Sequence, residues 1–178
     1  MNAPLPRLAA LALAATLGAC ASASVTHAKS LEADAAFARI VSLQGDWANA
    51  DAPDGAGGPV AANYRVTAGG SAVIETLFPG QPQEMVTVYY EDGGKVALTH
   101  YCMLANQPRM RAEGLQGNVL AFDYAGGDGI DVAHDMHMHS VAITFVSPDE
   151  LKADWQGWVD GKPAPEHEGQ FHLVRKKA

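Results

Sequence analysis

The chain is short of cysteine, of basic residues and of long hydrophobic runs, and each shortage removes a class of protein. Cys20 and Cys102 are the only cysteines among 178 residues. Cys20 sits at the end of a leader, so Cys102 is the single thiol of the remaining domain. No intramolecular disulfide is then available, and stability must come from packing. Lys and Arg number 12 against 20 Asp and Glu, a formal net charge of −8. The one basic cluster is the terminal Arg175-Lys176-Lys177. That balance argues against nucleic acid or an anionic membrane surface as a partner. No nucleophile elbow, phosphate loop, dinucleotide glycine pattern or paired-carboxylate signature occurs. The loop Gly126–Asp131 sets acids beside glycines, yet lacks the alternating ligands and terminal Glu of a calcium loop.

What the chain does have begins with an address. Arg7 and the amino terminus precede an apolar run, Leu8–Leu17, and then Leu17-Gly18-Ala19-Cys20. The run is half the ~20 residues that span a hydrocarbon core, and the layout is that of a bacterial secretory signal. Leu17-Gly18-Ala19-Cys20 resembles the bacterial lipobox, in which the cysteine is acylated and becomes the mature terminus. The expected organisation is a signal peptide at 1–19, lipidated Cys20 opening a tether at 20–30, and one domain at 31–178. No acidic residue follows Cys20 before Glu32, which favours the outer membrane, facing the periplasm. The membrane is then touched through the N-terminal lipid alone. Ordinary cleavage beside Ala19-Cys20-Ala21 or Ala21-Ser22-Ala23 is the alternative, giving a soluble periplasmic or secreted product.

Periodicity then divides the domain. Leu31, Ala35, Ala36, Ile40 and Leu43 recur at helical spacing, predicting an amphipathic helix over Leu31–Leu43, capped by Ser30 and stopped by Gly45. The loop Asp51–Pro59 is a candidate lid. Short strand-like runs follow: Val60–Thr67, Ala72–Phe78, Met85–Glu91, Val96–Met103 and Arg109–Leu115. Val119–Tyr124, His137–Val146, Leu151–Val159 and Gly169–Arg175 complete them. With the strand at Gly45-Asp46-Trp47 they number ten, joined by tight turns and with no helix between. An all-β, closed antiparallel up-and-down barrel with a preceding helix is the expected fold, since closure removes exposed edges. A two-sheet sandwich is the alternative.

A helix leading into Gly45-Asp46-Trp47 and an antiparallel meander resembles the calycin superfamily, whose lipocalins carry Gly-x-Trp at that point. Ten strands and the terminal Phe171-His172-Leu173-Val174-Arg175-Lys176-Lys177 are more similar to the nitrobindin branch of haem-binding barrels. The stretches Glu75–Gly80, Thr99–Cys102 and Asn106–Arg111 resemble uncharacterised bacterial exported proteins of this lipocalin-like type. The resemblance implies a barrel with a ligand cavity. It also implies haem held by a histidine on the last strand. The nearest here, His172, alternates with Phe171 and Leu173 and so is expected to point outward.

Strand alternation selects the candidate lining. His100 and Cys102 share a face with Val96 and Leu98. His137 and His139 share one with Val141, Ile143 and Phe145, and Trp155 lines the next strand. His100, His137 and His139 together would supply three imidazoles to a zinc with an open fourth position; the alternative is hydrogen-bonded interior or rim histidines. Cys102 reads as a buried, inert thiol rather than a reactive one. Arg109, Arg111 and Glu75 are candidate polar recognition groups for a carboxylate or phosphate, or else members of an outward charge ladder. Three functions follow: an envelope protein holding a small, mostly apolar ligand; a metal-dependent enzyme on the histidine cluster; and a packed structural barrel.

Overall fold

The computed structural model describes residues 31–177; the leader, Cys20 and the tether lie outside the described residues. The first described element is α1 (Leu31–Val41), with Glu32 and Asp34 in its first turn, where they complement the positive end of the helix dipole. Ala33, Ala36, Phe37 and Ile40 are buried, a stripe at i, i+3, i+4 and i+7 that packs on the barrel. The helix ends two residues before the expected Leu43, because Leu43 and Gln44 close tighter bonds to Ile40 and Val41. Gly45, at φ 125°, turns the chain into the first strand.

Ten strands follow: β1 (Gly45–Asn49), β2 (Val60–Thr67), β3 (Ala72–Leu77), β4 (Met85–Asp92), β5 (Lys95–Tyr101), β6 (Arg109–Gln116), β7 (Val119–Gly126), β8 (His137–Ser147), β9 (Glu150–Val159) and β10 (Lys162–Arg175). Each pairs antiparallel with its sequence neighbour, and β10 closes the barrel on β1 through Trp47↔Arg175 and Asn49↔Leu173. The expected closed barrel is therefore the fold, and it is compatible with a calycin-like architecture.

The largest departure is β10, which starts at Lys162 rather than Gly169. Asp160 and Gly161 both take positive φ, so pairing resumes at once with Lys162↔Val159. Pro163 and Pro165 disguise the strand, because proline normally argues against a ladder position. The register shifts between Ala164 and Gly169, and the bulged segment lies over Gly157. A Cβ at Gly157 would stand 2.8 Å from the His167 carbonyl oxygen.

The helix end of the barrel is sealed around Trp47, which is fully buried. Its Nε1 donates to the Leu43 carbonyl at 2.7 Å, and the Arg175 guanidinium covers the ring at 4.4 Å. Arg175 also donates to the carbonyls of Gln44 at 2.7 Å and Ser42 at 2.9 Å. The strand that closes the barrel thus also clasps the end of the helix. The candidate lid, Asp51–Pro59, instead lies against the wall. It contains a single 3-10 turn, Gly55–Gly57; Asp51 contacts His172, and Lys176 reaches the Gly58 carbonyl. None of its residues lines the cavity described next. Among the described residues no helix is long and apolar enough to cross a membrane.

Candidate functional site

Barrel register sets a polar row through the apolar interior. Tyr64 on β2 stands opposite Glu75 on β3, Glu75 opposite Thr87 on β4, and Thr87 opposite His100 on β5. All four are buried. In β3 the inward set is Val73, Glu75 and Leu77, so Glu75 points into the barrel. Tyr64 Oη donates to its Oε1 at 2.6 Å, and Tyr89 Oη donates to its Oε2 at 2.8 Å. Thr87, opposite Glu75 on β4, adds a third hydroxyl beside the carboxyl. Burial raises the Glu75 carboxyl above its ordinary value, and the three hydroxyls offset part of that rise. Burial, then the Glu75 charge, hold both tyrosine hydroxyls well above theirs.

The row ends at His100. Its Nδ1 lies 2.9 Å from Thr87 Oγ1. Thr87 thus occupies the Nδ1 side of the ring, and Nε2 is the ring nitrogen left for another partner. Desolvation lowers the His100 pKa to about 4, so the ring is neutral at physiological pH. It packs on Trp155 with centroids 4.6 Å apart.

His100 borders a cavity of about 230 Å³ at the end of the barrel away from α1. Its walls are Leu77, Trp155 and Phe171, and its mouth carries Met85, Met103, Met136 and Met138. Cys102 is half-buried beside His100, its thiol pushed up by desolvation. Leu104, and His167, Glu168 and Gly169 from the β10 bulge, complete the rim.

The other candidate residues fall elsewhere. Arg109 and Arg111 flank the inward Met110 and face outward. Arg111 pairs with Asp92, Lys95 with Glu113, and Arg109 lies 3.6 Å from Asp128. The outward ladder is therefore the observed arrangement for the arginines, while Glu75 alone of that set enters the barrel. His172 bridges Asp51 at 3.0 Å and Glu150 at 2.8 Å, on the outer face as alternation requires.

His137 and His139 do not join His100 at the cavity. A bulge in β8 shifts the register between Met138 and Ser140, and it breaks the alternation that put both histidines with Val141. Met138 lines the cavity in their place. The two histidines form an aromatic stack instead. His139 lies parallel to Trp158 at 3.8 Å and to Tyr124 at 5.1 Å. His137 Nδ1 donates to the Asp135 carbonyl at 2.8 Å, leaving Nε2 to accept from His139 Nδ1 at 3.0 Å. Among the described residues no group of three or more His, Cys, Asp or Glu is placed to hold a metal ion.

Tyr64, Thr87 and Tyr89 carry no local signal in the sequence, because their role needs cross-strand register. The methionines do carry one, since Met136 and Met138 alternate with His137 and His139. No family model matches the chain, and no curated protein does.

Proposed function

We propose that the barrel binds a small, neutral, mostly apolar molecule whose one polar end donates a hydrogen bond to His100 Nε2. The carrying observation is a methionine- and aromatic-lined cavity whose buried polar group is His100, held from behind by Thr87. Ligand sites in general are apolar with a few placed polar groups, and flexible thioethers adapt to varied shapes. A volume of about 230 Å³ suits an alcohol or phenol of modest size, being below the ~300–1,000 Å³ of drug-sized sites. Carboxylates are disfavoured, since Arg109 and Arg111 face away and Glu168 stands on the rim. The separation of His137 and His139 from His100 takes support from the metal-enzyme reading, and the outward His172 takes it from the haem reading.

Calorimetric titration with a medium-chain alcohol and its matching carboxylate tests this. The alcohol binds and the carboxylate binds at least tenfold more weakly. His100→Leu costs the alcohol roughly 1 kcal/mol, the net worth of one hydrogen bond. Equal affinity for both compounds, or an unaffected His100→Leu variant, contradicts the reading.

The same proposal places the domain in the cell envelope, anchored through Cys20. Acyl chains contribute ~0.8 kcal/mol per buried CH₂. Cys20→Ser should therefore move the protein from the membrane fraction to the soluble or precursor fraction, and unchanged fractionation counts against anchoring.

A further inference from the structure

The cavity mouth gathers soft donors to an unusual degree. Four of the chain's six methionines, Met85, Met103, Met136 and Met138, border it together with Cys102 and His100. An apolar cavity can be lined with leucine or valine, so hydrophobicity alone does not call for thioethers beside a thiol and a lone-pair imidazole. We propose that this mouth is a binding site for a soft monovalent cation of the Cu(I) class, coordinated by Cys102, His100 and thioethers drawn from the four methionines.

Three features support the assignment. First, donor type: thiolate and thioether ligands select Cu(I), whereas carboxylate and carbonyl oxygens suit harder ions. Second, charge. As Cu⁺ binds, the Cys102 thiol loses its proton to solvent and a copper–sulfur bond forms. No electron is transferred, and the bound unit of Cu⁺, thiolate, neutral imidazole and neutral thioethers carries no net charge. A largely apolar cavity accepts such a unit, while a divalent ion would leave an uncompensated charge there. Third, the His100 ring and the loop that carries Cys102 are held in place. Thr87 Oγ1, 2.9 Å from His100 Nδ1, holds that side of the ring and leaves Nε2 for a ligand, the outer-shell arrangement that orients ligating histidines. The Cys102 loop is closed by Cys102 N–H to the Asn106 carbonyl at 3.1 Å and Ala105 N–H to the Cys102 carbonyl at 3.0 Å. Asn106 Nδ2 then donates to the Met136 carbonyl at 2.8 Å, tying that loop to the segment that carries Met136 and Met138. The β8 bulge supplies the remaining condition, because it turns Met138 rather than His139 to the cavity.

The inference uses the same cavity as the proposed function but does not depend on the alcohol reading. The experiment uses the full chain with Cys20→Ser, so that Cys102 is the only thiol, and titrates Cu(I) anaerobically against a chromogenic Cu(I) chelator. One equivalent is expected to bind, with release of one proton and a near-ultraviolet thiolate-to-copper absorption band. Replacing Met85, Met103, Met136 and Met138 by leucine keeps side-chain volume, so far-ultraviolet circular dichroism and the urea midpoint should stay those of the parent while Cu(I) affinity falls at least tenfold. Cys102→Ser should abolish the absorption band. No competition with the chelator, or unchanged Cu(I) affinity in the leucine variant, overturns the inference. Retained copper binding with no alcohol binding in the parent protein overturns the proposed function alone.

Discussion

Glu75 and His100 are the two residues where folding and binding compete most openly. Burying a carboxyl and an imidazole is costly unless both are satisfied, and the Tyr64, Tyr89 and Thr87 hydroxyls meet that need without a counter-charge. Their pKa shifts act oppositely on stability. His100 is neutral when folded down to about pH 4, against an ordinary value near 6.5. Its contribution is complete above about 6.5 and is lost as pH falls from there through 4, about 3 kcal/mol in all at 1.36 kcal/mol per unit. Glu75 has a raised carboxyl, so its contribution is complete at low pH and is lost as pH rises through its folded value. Urea unfolding of the metal-free protein at pH 7 and pH 4 separates them. The loss of stability on acidification should shrink by roughly 3 kcal/mol in His100→Gln, whose amide is uncharged at both pH values. An identical loss in parent and variant would show that His100 does not carry the acid sensitivity.

At the scale of elements, the sequence was readable wherever a pattern is local. The period-3.6 stripe placed α1, and Asp92-Gly93-Gly94, Gln116-Gly117-Asn118 and Ser147-Pro148-Asp149 marked hairpins between strands of correct order. Alternation correctly turned His100 and Cys102 inward and His172 outward. It failed at β8, where one extra residue near His139 reverses the facing of its neighbours. Nothing in Met136-His137-Met138-His139 announces a bulge, because bulges arise from how two paired strands coil together. It could not choose between Ile74 and Glu75 in β3 either, since burial of a carboxylate depends on tyrosines from the two flanking strands, β2 and β4. Arg175 is a further long-range case. From the sequence it belongs to a basic tail, yet it joins α1, β1 and β10. Arg175→Ala should destabilise the barrel by about 2 kcal/mol through lost bonds to Ser42, Gln44 and Asp149 and lost contact with Trp47. Arg175→Lys should recover less than half, because an ammonium cannot fork between carbonyls. Full recovery by lysine in urea unfolding would show that charge alone matters there.

The whole molecule is a barrel with two different ends. One is plugged by α1, Trp47 and the Arg175 clasp. The other opens through four methionines and Cys102 onto a cavity whose polar floor is the end of a row built across β2, β3, β4 and β5. Closure by β1 and β10 makes this division durable, because without a free edge the cavity walls cannot part from the core. The central claim is that small apolar molecules enter at the methionine end and stop at His100. Isotope-labelled methionine ε-methyl groups report on it most directly, since Met85, Met103, Met136 and Met138 border the cavity while Met110 is buried in the core. Titrating the protein with a medium-chain alcohol should shift the four mouth resonances saturably and leave Met110 essentially unmoved. Unmoved mouth resonances, or a uniform drift of all five that never saturates, would contradict the account.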